Sequence, residues 1–145
     1  MRLAQAESLL AAVQAYGDEH ALRLSAAVVD ARGHEVAAAR MDGATWLTIG
    51  VAHVKARTAA WFGRPSGDLA AMRAAHPEVL RLAGAQLPEP PTDLPGGLPL
   101  YDEGGLLGAL GVSGATPEED VAAARAAIAS CERRADGETR ARGST

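Results

Sequence analysis

The sequence is poor in aromatic side chains, in cysteine and in long apolar runs, and each shortage removes a class of answer. Phe, Trp and Tyr make up 3% of the 145 residues, so Ala, Leu and Val have to fill the core. Small side chains let helices and sheets approach closely, and they leave room for something flat to bind. The single cysteine, Cys131, excludes an intrachain disulfide and a multi-cysteine metal site. No apolar run nears the roughly 20 residues of a membrane span. The amino terminus, Met1-Arg2-Leu3-Ala4-Gln5, lacks the uninterrupted apolar core of a secretory signal. A net charge of -4 gives no electrostatic case for nucleic acid. No pair of histidines or carboxylates has a spacing such as His-x-x-x-His, so a metal site built by local sequence is not expected. These readings point to a cytoplasmic protein with neither nucleic acid nor membrane among its partners.

What is present is ordinary for a globular chain: 48% hydrophobic and 22% charged residues, at a length that makes one domain. The first helix is expected over Leu3 to Tyr16, with Leu3, Ala6, Leu9, Leu10 and Val13 inward and Gly17 ending it. A link holding His20 leads to a strand from Leu22. Asp30-Ala31-Arg32-Gly33 then turns a hairpin into a second strand, Val36 to Met41. After Met41-Asp42-Gly43, Thr45 or Thr48 caps a central helix from about Trp46 to Phe62. Its inward stripe is Ile49, Ala52, Ala56, Ala59 and Ala60. Short helices follow at 68–75 and from Pro77 to Leu82. The proline-rich stretch from Gly84 to Gly97 is a loop, of the kind that serves as a lid or an interface arm. Leu98 to Tyr101 and Leu106 to Val112 make a second pair of strands, turned at Asp102-Glu103-Gly104-Gly105. Thr116-Pro117-Glu118-Glu119 is a capping box that opens the last helix, expected to end near Arg134. The order α-β-β-α-α-α-β-β-α, with room for one extra strand, argues an α+β domain over residues 1–134. Its antiparallel sheet is covered by helices, and a polar, frayed tail follows at 135–145.

The central helix carries the densest group of polar side chains. Lys55, set among Val51, Ala52, Val54, Ala56 and Ala59, is either an acid/base or carboxylate anchor, or half of an ion pair with Asp30 or Asp42. His53 is a proton carrier near neutral pH, or a surface histidine at a subunit contact. Arg40 and Arg57 are candidate anchors for an anionic ligand, Arg40 alternatively locking the hairpin through Asp42 or Asp30. Tyr101, at a strand end, is a candidate proton or hydrogen-bond donor. Ser113 lies in a glycine-rich loop opening a helix, although Glu118, Glu119 and Asp120 beyond it would repel a phosphate.

Six ordered blocks carry a resemblance. They are Ala27-Val28-Val29-Asp30 with Gly33-His34; Arg40-Met41-Asp42-Gly43; Ala52 with Lys55-Ala56-Arg57-Thr58-Ala59-Ala60; Phe62-Gly63-Arg64-Pro65; Gly96-Gly97-Leu98-Pro99-Leu100; and Gly108 to Gly114 with Asp120. From Leu3 to Ile128 the chain resembles the GlcG/HbpS-like family, often labelled haem-binding, which includes the carboxy-terminal domain of PduO. The resemblance implies a profilin-like or PAS-like α+β fold and a homo-oligomer. It also implies a small-molecule ligand, haem or a related tetrapyrrole, with His53 or His34 as the axial ligand. The run from Gln86 to Pro95 stands where the family has an apolar strand-like segment, and His53 stands where the family pattern demands no histidine.

Three functions follow as expectations. The first is a haem-type binder whose pocket lies between the central helix and the sheet, bounded by the Ser113 loop. The second is a cofactor-free isomerase, lyase or hydrolase acting on a small carboxylated metabolite. Lys55 or His53 would be its acid/base and Arg40 or Arg57 its anchor. The third is a structural or stress-related oligomer.

Overall fold

Gly33 sits at a φ of +85° where the first hairpin turns, a conformation that costs glycine little. Asp30 closes the turn, its carboxylate accepting from the backbone N–H groups of Arg32 at 2.9 Å and His34 at 3.0 Å. In the computed structural model, which describes residues 1–142, this hairpin joins strands β1 (Ser25–Asp30) and β2 (Glu35–Arg40). The second hairpin pairs β3 (Gly97–Asp102) with β4 (Gly105–Ser113), and β4 also runs antiparallel to β1. One antiparallel sheet results, in the order β2-β1-β4-β3, with no further strand among the described residues.

Helices cover both faces of this sheet. On one lie α1 (Leu3–Glu19) and α5 (Pro117–Arg142), packing Leu9, Val13, Ala124 and Ala127 over Ala26, Val28, Leu110 and Val112. On the other lies α2 (Thr48–Phe62), whose Ala52, Ala56, Ala59 and Ala60 meet Ala27, Val29 and Ala109. Strand alternation sends even-numbered residues of β1 and β4 to the first layer and odd-numbered ones to the second. A strand covered on both sides reads as a continuous apolar run, which is why β1 has no polar alternation. A 3-10 turn at Ser66–Asp68 and the short helices α3 (Leu69–Ala75) and α4 (Pro77–Ala85) complete the order.

Several local expectations need correction. Gly17 does not end α1, which continues to Glu19. Gly17 is buried inside it, where a Cβ would come within 2.8 Å of Met41 Sδ. Leu3 is exposed rather than inward, and β1 starts at Ser25, not Leu22. Neither threonine side chain caps α2, which begins after Leu47 without a side-chain cap. Thr48 is buried against the Ser25 hydroxyl at 2.8 Å. The Thr116–Glu119 capping box is present in both directions at 3.2 Å. The helix it opens runs past Arg134 to Arg142, so the expected frayed tail is helical as far as 142, and 143–145 lie outside the described residues.

Candidate functional site

The interval between α2 and the sheet, expected to hold a pocket, is closed by contact. A Cβ on Gly111 would collide with the backbone of Ala52 and Ala56, and one on Gly97 with the backbone of Lys55. Helix and sheet therefore touch through bare backbone, the closest packing a protein allows.

Lys55 uses that closeness. Buried to 3% exposure, it lies beside Gly96, and its Nζ donates to the Val112 carbonyl at 2.9 Å and to Asp120 at 2.7 Å. Asp120 belongs to α5 on the opposite face, so the pair ties the two helical layers together past the end of β3. Its other carboxylate oxygen accepts from Ala115 N–H at 3.0 Å. Burial pushes the Asp120 carboxyl above its ordinary value, and the Lys55 ammonium pulls against that. The partner of Lys55 is thus neither Asp30 nor Asp42.

The other expected residues are spread over the molecule. His53 Nε2 meets Glu35 of β2 at 3.0 Å, while its Nδ1 is buried without a hydrogen-bond partner. Burial lowers its pKa; Glu35 opposes this and Arg57 reinforces it. Arg57 pairs with Glu89 at 2.8 Å, pinning the proline-rich arm to α2. Arg40 donates to the Ala44 carbonyl at 2.7 Å instead of to Asp30 or Asp42. Exposed Tyr101 donates to the Gly63 carbonyl at 2.6 Å, fastening edge strand β3 to the end of α2. His34 is exposed in the hairpin turn, with Nδ1 3.6 Å from Asp30. Ser113 is buried opposite Ser25, at the end of β4. Among the described residues, no cluster of three His, Cys, Asp or Glu could hold a metal ion, and no helix is long and apolar enough to cross a membrane.

Two concave surfaces lie away from that closed interval. One, of about 450 Å³, runs along the outer side of α2, lined by Trp46, Leu47, Ile49, Gly50, Val51 and Val54, with Thr92 and Leu94 of the arm as its wall. Ile49, expected inward, belongs to this groove. Trp46 is 81% exposed, and Leu47 and Leu94 are exposed beside it. A Cβ at Gly50 would meet nothing within 4 Å, so no contact inside the chain calls for glycine there. The arm is held by Thr58 Oγ1 accepting from Thr92 N–H at 3.0 Å and by Ser66 Oγ donating to the Leu94 carbonyl at 2.6 Å. The second concavity, of about 440 Å³, lies between α1 and the Arg40 end of β2.

The family model described as haem degrading protein HbpS-like matches residues 1–129. The chain belongs to the HbpS-like family. Solved structures agree with this membership. A double mutant of Streptomyces reticuli HbpS is 29% identical, with 89% of this chain and 85% of that one covered and a TM-score of 0.79. A PduOC:heme complex is 27% identical, covering 89% of this chain and 93% of that one, also at 0.79. Klebsiella pneumoniae ORFY is 29% identical, covering 90% and 89%, at 0.77. None of the curated proteins matches the chain. The match between this HbpS-like chain and all three relatives spans the whole layered domain and not the sheet alone. The α2 groove escaped the sequence pattern because its wall, Thr92 and Leu94, is built by the arm, tens of residues away. Its one local signal was Gly50, a glycine inside a helix.

Proposed function

We propose that this protein binds haem or a related tetrapyrrole in the groove on the outer side of α2. The observation that carries the reading is the bare helix surface at Gly50, flanked by exposed Trp46 and Leu47 and walled by Leu94. A flat apolar macrocycle needs a flat apolar bed, and a helix position without a side chain lets a ring lie closer to the backbone. Trp46, Leu47, Ile49, Val54 and Leu94 would hold the ring, and Trp46 is also the large aromatic such a ring stacks on. Kinship with HbpS and with a PduOC:heme complex supports the ligand class.

His53 lies one turn beyond Gly50 on the same helix, but its ring meets Glu35 of β2 and it does not line the groove. Burial lowers its pKa, and the Glu35 carboxylate, which opposes that shift, holds its Nε2. Its Nδ1 is buried, so neither ring nitrogen faces the groove and the apolar bed alone carries the reading. When bound, haem supplies one-electron and dioxygen chemistry at its iron. The chain's own part would be to bury one face of the ring against Trp46, Leu47, Ile49 and Leu94. Haemin titration followed by the Soret band tests this. Trp46→Ala and Leu94→Asp should each weaken binding at least tenfold, whereas His53→Ala, outside the groove, should leave the titration unchanged. Unchanged titrations in the Trp46 and Leu94 variants would refute the site.

A further inference from the structure

The cleft on the opposite side of the sheet is unused by this reading. Its floor is made by the half-buried Leu10 of α1 and Met41, over the buried Val13, Leu24 and Ala26. The floor exists because Gly17 lets the Met41 thioether lie against α1, where Sδ also accepts from Leu24 N–H at 3.4 Å. Around the rim stand two cations, Arg23 and Arg40, and two anions, Asp18 and Asp42.

These four charges do not neutralise one another. Among the described residues none of them forms an ion pair. Arg40 donates only to the Ala44 carbonyl, through Nη1, leaving most of its five donors free, and the other three make no side-chain hydrogen bond. Opposite charges held apart around an apolar floor are complementary to a molecule that carries both charges on an apolar body. A dianion would face Asp18 and Asp42, and a plain amine would face the arginines. The volume, about 440 Å³, is within the range of small-molecule sites.

We propose that this cleft is a second small-molecule site, one that takes a zwitterion such as an α-amino acid with a branched aliphatic side chain. Arg40 and Arg23 would receive the carboxylate, Asp18 and Asp42 the ammonium, and Leu10 and Met41 the side chain. The site does not depend on the tetrapyrrole reading, because it lies on the other face of the sheet.

Three probes separate the requirements: L-leucine, 4-methylpentanoate, which lacks the ammonium, and 3-methylbutylamine, which lacks the carboxylate. Binding is followed by amide chemical shifts of the full chain. Leucine should move the amides of Asp18, Arg23 and Met41 and bind at least tenfold more tightly than either analogue. Arg40→Gln should abolish the preference for leucine over the amine. Asp18→Asn, at an exposed helix position where folding is not at stake, should abolish the preference over the acid. The proposal is overturned if leucine titrated to about 10 mM moves no cleft amide. It is equally overturned if the shifts map to α2, or if both analogues bind as tightly as leucine.

Discussion

Lys55 Nζ and Asp120 Oδ2 stand 2.7 Å apart with both side chains about 4% exposed, and they join helices that lie on opposite faces of the sheet. Two charges taken out of water are tolerated only as a hydrogen-bonded pair, and here the Val112 carbonyl and Ala115 N–H complete the bonding. Removing one partner leaves a buried charge alone. Lys55→Met should therefore cost about 3–5 kcal/mol, whereas Lys55→Met combined with Asp120→Leu should recover most of the loss. Urea unfolding of the single and double variants measures both. A single variant as stable as the parent would show that the pair does not hold the layers together.

The glycines divide into those the fold needs and one it does not. Gly111→Ala drives a Cβ into the backbone of Ala52 and Ala56, which cannot yield independently, so a loss of at least about 2–3 kcal/mol is expected. Gly50→Ala meets open space on a helix and should be neutral or stabilising by up to about 1 kcal/mol. Thermal unfolding distinguishes the two. The informative outcome is a Gly50→Ala protein that is at least as stable yet binds haemin more weakly, since that assigns the glycine to a ligand instead of to the fold.

His53 makes stability depend on pH in a defined direction. Burial holds its folded pKa below the ordinary imidazole value of about 6.5, against the pull of Glu35. As pH falls through 6.5 the unfolded chain takes up a proton that the folded one refuses. The stabilisation present above pH 6.5 is thus lost progressively below it, down to the folded value. His53→Gln should flatten that part of the stability curve while leaving the region above pH 7 little changed. Melting temperatures across pH 5 to 8 give the comparison, and an identical slope in the variant would contradict it.

Features made by neighbouring residues were legible in the sequence. The Asp30–Gly33 turn and the Thr116–Glu119 capping box rest on hydrogen bonds spanning two to four residues, so their chemistry is written locally. The α+β order and the alanine stripe of α2 followed from periodicity. What stayed hidden depends on distance along the chain. Lys55 is visible in the sequence as a lysine in apolar company, but its partner is 65 residues away and nearer aspartates compete. Gly17 reads as a helix end, because helix stop signals do not report that Met41 needs the space. Ile49 fits the inward stripe by spacing and yet lines the outer groove, because the arm carrying Thr92 and Leu94 folds back over that side.

The tetrapyrrole site is tested most directly by mapping a diamagnetic porphyrin, zinc protoporphyrin, onto the amide and indole resonances of the intact chain. The account predicts shifts at Gly50, Val54, Leu94 and the Trp46 indole, with the Lys55 and Asp120 amides little moved. Shifts confined to other surfaces, or none at saturating porphyrin, would contradict it.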